Sequence, residues 1–512
     1  MRRLEREFAA ELARVRPALS AGYTAALPGA RAAVLGRLWR GLLYEPLPGL
    51  TVTGPGRVLL ADGRGLTGPE RRAYDIGDVT ALRLDGHPHT HPAELLDALG
   101  LPGTGRLAED LDNSVASLAL SRANASGRPP VTPEEHEQSV VDGHPYHPGC
   151  RNRPGVSVAE QLAYMPEHRP TVLLDLLALP ANECLVTGPW PDSLMDGDRL
   201  LLPVHPWQTR HVLAALGLRP YATGVIAARP LMSARTLAPL DGGPHLKTAF
   251  TTRMTSGVRD ISPGSVRDCV PLSDLLTTLL TTLSARCGGG LRIARYLAGA
   301  AGGHSADLSV MLREPEPGPV LPVAAVTRRM APDPAAWLAA FARLAMTNAL
   351  GLLSLGVALE AHGQNLLVSP DADGLPYRLV YRDLADVRIS PARLARNGIA
   401  VPPVSARLLS DDPAVLHAKL FGSLLGTTFG SLISLFGGGD RATEAGLWDV
   451  VAAAARHASE ALPATSDARA DRAALFGERI AAKAHLLARL EGAPPGDIWT
   501  GLPNNLADRK FA

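Results

Sequence analysis

The chain is poor in the features that most quickly assign a protein to a class. It has four cysteines in 512 residues (Cys150, Cys184, Cys269 and Cys287), widely spread and with no CxxC pair. That excludes a zinc knuckle and a disulfide framework, and a reducing cytoplasm fits best. It has almost no net charge: 51 basic against 50 acidic residues leave +1, so bulk electrostatics do not point to nucleic acid. No GxxxxGK[ST] motif is present, which excludes a P-loop, and no HRD, DFG or GxGxxG motif marks a protein kinase. The N-terminal stretch MRRLEREFAAELARVRPAL carries Glu5, Glu7 and Glu11 among its arginines and lacks an apolar run, so it reads as a surface helix and not a signal peptide. No repeat recurs at a fixed period. Leu420 to Gly439 has no charge over twenty residues, but its glycines, serines and threonines favour a buried helix over a membrane span.

What is present is a long chain with 46% hydrophobic residues, enough for two or three packed units. The first 130 residues mix helical patterns with a β-like patch at Leu50 to Leu60, and Asn124 to Pro130 reads as a loop. Short apolar runs from about 140 to 315, such as Thr171 to Leu179 and Leu200 to Val204, read as strands. Beyond the break at Glu314 to Pro319, Pro332 to Leu359 reads as helical. Two strands, Asn365 to Val368 and Tyr377 to Tyr381, follow around the turn Asp371 to Gly374. Ala414 to Leu435, Thr443 to Leu462 and Ala468 to Leu490 carry helical patterns. The class is mixed α/β.

The densest chemistry lies in Glu360-Ala361-His362-Gly363-Gln364-Asn365, at the end of an apolar helix and seventeen residues before Arg382-Asp383. Core packing does not call for a carboxylate, an imidazole and two amides there. A magnesium nucleotide site does, because magnesium takes oxygen ligands and leaves positions for phosphate. Upstream, Ser233 and Arg235, then Lys247, then Thr255, Ser256 and Arg259 combine hydroxyls with guanidinium and ammonium groups, as a triphosphate requires. Half of these residues are equally compatible with an ordinary polar surface.

Gly143-His144-Pro145-Tyr146-His147-Pro148 is either a proline-stiffened surface loop or a rigid pair of donors to anionic oxygens; Arg151 and Arg153 nearby favour an anion over zinc. His87-Pro88-His89-Thr90-His91-Pro92 lacks following arginines and reads as loop, or at most as a coincidental metal-binding pattern. In Pro203 to Gln208 an aromatic packed at a strand end, with His205 satisfied locally, is preferred to a catalytic role.

Taken together, GHPYHP with RNRPG, LLPVHPWQ, SARTL, KTAF with MTSGVR, and EAHGQNLLV with YRD resemble the IucA/IucC family of NRPS-independent siderophore synthetases, in the family's order over residues 140 to 390. The resemblance implies a three-part, hand-like fold: a thumb (residues 1–135), fingers with the phosphate-binding motifs (136–318) and a palm with the EAHGQN segment (319–512). It implies an ATP- and Mg2+-dependent ligase of the cytoplasm. Such an enzyme activates citrate or a related carboxylate as an acyl-adenylate and condenses it with an amine, hydroxylamine or alcohol. A homodimer is common among such proteins.

By the same resemblance, Ser233, Arg235, Lys247, Ser256, Gln364 and one of His144 and His147 contact ATP. Thr255, Arg259, His362 and Arg313 face the carboxylate, and Glu360, Asn365 and Asp383 hold the metal. Arg259, His362, Lys247 and Thr255 form the catalytic set. Arg151 stands where the family has lysine, and Leu384-Ala385-Asp386 replaces a glycine pair after the RD motif. Other readings are a kinase-like phosphotransferase, or a degenerate relative that only binds a carboxylate or siderophore.

Overall fold

The structure, a computed structural model, describes residues 1–255, 257–287, 289–316, 318–494 and 496–509. Its N-terminal part packs the helices Arg3–Val15, Ser20–Tyr44, Pro92–Leu99 and Gly105–Ala123 around Tyr23, Leu35, Trp39, Leu96, Leu111 and Leu118, all buried. The β-like patch at 50–60 is a hairpin, Leu50–Gly54 with Arg57–Leu60, that opens a five-stranded meander. The histidine run from His87, expected as loop, is the meander's last strand, His87–His89. It is followed by His91, whose Nδ1 accepts the Ala93 N–H (3.2 Å) and caps the next helix. A short strand and a helix cap use the same His-Pro chemistry that a loop does, so the pattern could not separate them.

The middle of the chain builds a nine-stranded antiparallel sheet. Val172–Pro180 and Arg199–Val204, both foreseen, pair along their length from Asp175↔Val204 to Pro180↔Arg199. His245–Thr248 lies at the sheet's interior, between Thr236–Pro239 and Ser309–Arg313, so Lys247 faces Thr236 on one side and Met311 on the other. The helix Pro263–Cys287 lays Val266, Cys269, Leu272 and Leu276 into the core that this sheet shares with the C-terminal part.

The helix Pro334–Leu355 starts where the Asp333 carboxylate accepts the N–H groups of Ala335 (3.1 Å) and Ala336 (3.0 Å). It ends at Gly356, whose φ of +114° only glycine adopts without strain. The turn 360–365 follows, then the hairpin Leu366–Pro370 with Pro376–Tyr381, closed by the expected turn, with Gly374 at φ +79°. Pro334–Leu355 and Pro413–Gly437 are long and apolar enough to cross a membrane, yet 67% and 78% of their apolar windows are buried inside the fold.

A second expected element is corrected. The helical pattern from Ala468 stops at Leu475, and Arg479–Lys483 is a strand paired with Trp499–Pro503. Gly477 breaks the helix, and the small residues Ala481 and Ala482 suit either conformation, so pairing with a distant strand decides.

Candidate active site

Most of the candidate residues line one cavity of 1710 Å³. Its walls come from the GHPYHP loop, the strand carrying Lys247, the hairpin Phe250–Met254 with Gly257–Arg259, the 360–365 turn, Asp383 and the end of the Arg479–Lys483 strand. Among the described residues the wall carries thirteen Lys and Arg against six Asp and Glu, although the whole chain is nearly neutral. A concave, low-dielectric wall with that excess selects polyanions. Its volume exceeds the roughly 300–1,000 Å³ of an ordinary small-molecule pocket and leaves room for two substrates.

Lys247 is buried, and its ammonium is paired with Asp383 and donates to Tyr296 Oη (3.2 Å). Burial pushes the Lys247 ammonium down to about 8, and Asp383 opposes the shift. Burial alone would raise Asp383, but the Lys247 charge and hydrogen bond, with Arg235 behind them, hold it well below the usual carboxylate range. Arg235 is itself fixed by the carbonyl of Asp260. The Ser233 hydroxyl donates to Thr236 Oγ1 (2.8 Å) and accepts the Thr236 N–H, which shapes the turn. Three of the non-glycine residues at positive φ, Ala234 (+64°), Thr255 (+56°) and Asp383 (+65°), lie on this wall. Backbone strain of that kind persists where surrounding structure holds it, as it does at functional sites. Ser256 lies outside the described residues.

Arg259 differs from Lys247 and Arg235. Burial, then the neighbouring Arg235 charge, lower it to about 10, and among the described residues it has neither a carboxylate nor a carbonyl partner. A half-buried guanidinium without a counter-ion is a binding group awaiting an anion.

The histidines are oriented donors. His144 Nδ1 accepts the N–H groups of Tyr146 (3.2 Å) and His147 (3.1 Å), and His147 Nδ1 accepts that of Gly149 (2.9 Å). His362 Nδ1 accepts the Gln364 N–H (3.3 Å). Burial lowers all three, His147 to about 3, so they are neutral near pH 7 and carry their proton on Nε2. This is donor geometry for anionic oxygens, not ligand geometry for zinc. His485 packs against both rings, with centroids 4.7 Å from His144 and 5.1 Å from His147.

The metal-binding expectation divides. Magnesium needs hard oxygen ligands, normally one or two carboxylates besides phosphate. Asp383 opens onto the cavity and is tied to Asn365 by the Arg382 N–H to Asn365 carbonyl bond (3.0 Å), so these two fit. Glu360 does not fit as well, because its carboxylate already meets Lys483 Nζ (2.8 Å) and Lys419 Nζ (3.3 Å). Burial would raise Glu360, and the two lysines hold it well below the usual range. Asp497 closes the network with Lys419 (3.3 Å) and Lys483 (3.1 Å). Among the described residues no three His, Cys, Asp or Glu are grouped to hold an ion, so a metal here would draw ligands from a bound phosphate.

Of the named candidates, Arg313 lies apart from the cavity wall. It is buried between Glu316 (3.0 Å) and His245 (3.1 Å), so its charge is already neutralised. Arg382 completes that cluster: it reaches Glu137 Oε2 (2.9 Å), Glu316 (3.2 Å) and the Gln364 carbonyl (3.1 Å), tying the 360–365 turn to the helix Pro133–Gln138. Lys419, Lys483, His485 and Asp497 were missed. The one signal for Lys419 was a single lysine in an apolar helix, and the others lie in or beyond the segment misread as helix.

A family model described as IucA / IucC family matches residues 132–329, and one described as ferric iron reductase FhuF-like transporter matches residues 335–496. The second stretch contains no cysteine, so a thiolate-held iron–sulfur centre has no ligands in it. The chain is 25% identical over 185 residues to the Staphylococcus aureus 2-[(L-alanin-3-ylcarbamoyl)methyl]-3-(2-aminoethylcarbamoyl)-2-hydroxypropanoate synthase, covering 29% of this chain and 30% of that protein. It is 25% identical over 492 residues to the L-2,3-diaminopropanoate–citrate ligase of the same organism, covering 79% of this chain and 80% of the relative. The first two curated relatives are spanned over only 30% and 63% of their lengths. The fold is that of the ATP-bound aerobactin synthetase IucA from Klebsiella pneumoniae: TM-score 0.72 at 19% identity, over 92% of this chain and 99% of that one.

Proposed function

The chain belongs to the IucA / IucC family, and from that premise we propose that it is an ATP-dependent ligase of siderophore assembly. It adenylates citrate or a related carboxylate and passes the acyl group to an amine, hydroxylamine or alcohol. The observation that carries this reading is the convergence of Lys247, Arg235 and the unpartnered Arg259 with neutral histidine donors on one cavity large enough for a nucleotide and an acid. In this reading residues 1–135, 136–318 and 319–512 serve as thumb, fingers and palm. Its support is that Arg37, Arg259 and His362, one from each, share the cavity wall.

Attack of a carboxylate oxygen on the α-phosphorus builds negative charge on the phosphoryl oxygens. Preorganised cations and N–H donors stabilise that charge more than they do the ground state. Lys247 and Arg235 face the phosphates, with His144 or His147 donating through Nε2. Ser233, Ser256 and Gln364 complete the ATP contacts, while Thr255, Arg259 and His362 hold the reacting carboxylate. Asp383 with Asn365 would hold magnesium, which neutralises the pyrophosphate leaving group when bound. The amine then needs only proximity to the mixed anhydride, and no side-chain nucleophile is required.

Carboxylate-dependent exchange of pyrophosphate into ATP, with AMP as the nucleotide product, tests this. Formation of ADP and phosphate would replace adenylation by phosphotransfer, and nucleotide binding without turnover on any acid and amine would reduce the protein to a binder. Arg313 keeps no carboxylate role here, since Glu316 already holds it.

A further inference from the structure

Lys483 and His485 reach the cavity from a segment that the C-terminal part does not hold by itself. Residues 486–491 are docked on the N-terminal helices. Leu486 is 1% exposed and belongs to the N-terminal core. It fits against Gly41, where a Cβ would meet Leu486 Cδ2 at 2.8 Å, so only glycine admits it. Arg489 pairs with Asp110, and the Glu491 N–H donates to the Gly103 carbonyl (2.8 Å).

The centre of this docking is Glu45, the residue that ends the helix Ser20–Tyr44. Its buried Oε2 accepts the N–H groups of Leu486 (2.8 Å) and Leu487 (2.7 Å). Tyr44 accepts the Thr500 hydroxyl through its carbonyl (2.7 Å), which clamps the partner strand of the same hairpin. Burial raises the Glu45 carboxyl to about 7 against those amide bonds and Arg40. A carboxylate is retained in so unfavourable a place when its hydrogen bonds fix something that matters. What they fix is the backbone directly after His485, whose ring abuts His144 and His147, and three residues beyond Lys483, whose ammonium pairs with Glu360.

We infer that Glu45 is a positioning residue for the proposed reaction: from the N-terminal helices it holds the 483–487 segment so that His485 and Lys483 keep the phosphate donors and the 360–365 turn in register. The inference rests on the proposed function for its kinetic part and on the fold alone for its structural part. Removing the carboxylate releases two amides and lets the histidine trio loosen, so ATP binds less well while the distant sheet is untouched.

The test uses the full chain as wild type, E45Q and E45A, read by backbone hydrogen exchange and by pyrophosphate exchange. In E45A, amides of 484–491 exchange at least tenfold faster while those of Val172–Pro180 keep their protection, and KM for ATP rises at least tenfold. E45Q, whose side-chain carbonyl still accepts the amides, stays within about threefold of wild type. If E45A does not accumulate as folded protein, E45D, too short to reach both amides, replaces it. Unchanged protection at 484–491, or a fall in kcat with KM unaltered, as partial unfolding alone would give, overturns the inference. Absence of exchange activity in wild type sinks the proposed function and leaves the hydrogen-exchange arm to decide on Glu45.

Discussion

Replacing Arg259 by alanine separates a binding group from a structural one. Its guanidinium has no partner among the described residues, and burial beside Arg235 lowers it from the ordinary arginine range to about 10. At pH 7 the group is charged in both folded and unfolded chains, so the folded state bears the whole cost of keeping that charge, up to about 3 kcal/mol. The group opens onto the cavity, where water can screen it, and this reduces the figure to roughly 1–2 kcal/mol. Arg259→Ala therefore stabilises the protein, by about 1–3 °C in melting temperature for a chain of this size. The same change removes a charge-assisted contact to the reacting anion, worth about 3–4 kcal/mol in the transition state, and lowers exchange roughly 10²–10³-fold. Thermal melting and pyrophosphate exchange on one preparation measure both. A destabilised variant would mean that Arg259 has a structural partner, and a stable variant with near-normal exchange would remove it from the reaction.

Three further outcomes follow from the same geometry. Lys247→Met breaks the pair with Asp383 and destabilises by roughly 2–3 kcal/mol, below the usual cost of a broken buried pair because Asp383 opens onto the cavity. Adding Asp383→Asn restores at least half of the loss in denaturant titrations, and no restoration would show that the two do not act as a pair. Because Lys247 sits at about 8, it is part-neutral at pH 8 and gains its proton when phosphate arrives. Calorimetry in buffers of different ionisation heat then records uptake of about half a proton on ATP binding at pH 8 and almost none at pH 6.5, and equal uptake at both would assign the proton elsewhere. Asp383→Asn raises the magnesium concentration for half-maximal exchange about tenfold or more, whereas Glu360→Gln, whose carboxylate is tied to two lysines, shifts it far less. Equal shifts would restore Glu360 as a ligand.

Much of the site was legible because its pieces are local. The turn 360–365 and the hairpin behind it are written in a glycine-ended helix, a Pro-rich break and an Asp-Gly turn, each a short-range signal. The sequence left the paired histidines open between a stiffened surface loop and rigid donors; in the fold each His-Pro step lets Nδ1 take a backbone N–H two residues on. The segment after Leu475 was not legible, because its alanine-rich stretch obeys a helical period and becomes a strand only through pairing with Trp499–Pro503. With it went Lys483 and His485. Arg313 was misplaced for a related reason: its neighbours in sequence do not reveal that Glu316 and His245 surround it.

The sequence alone determined which chemical groups the protein brings and the local turns that present them: ordered hydroxyls, cations, amides and histidines in short motifs, on a mixed α/β chain. Only the tertiary structure decided which of them keep a free charge. Lys247 pairs with Asp383 across 136 residues, Glu360 with Lys483 across 123, and Arg382 with Glu137 across 245. Such partners are chosen by how sheets and helices pack, and a charge's strength as a ligand depends on the partner it already has. That is why Arg259 remains available to an anion while Arg313, an equally good guanidinium on paper, does not.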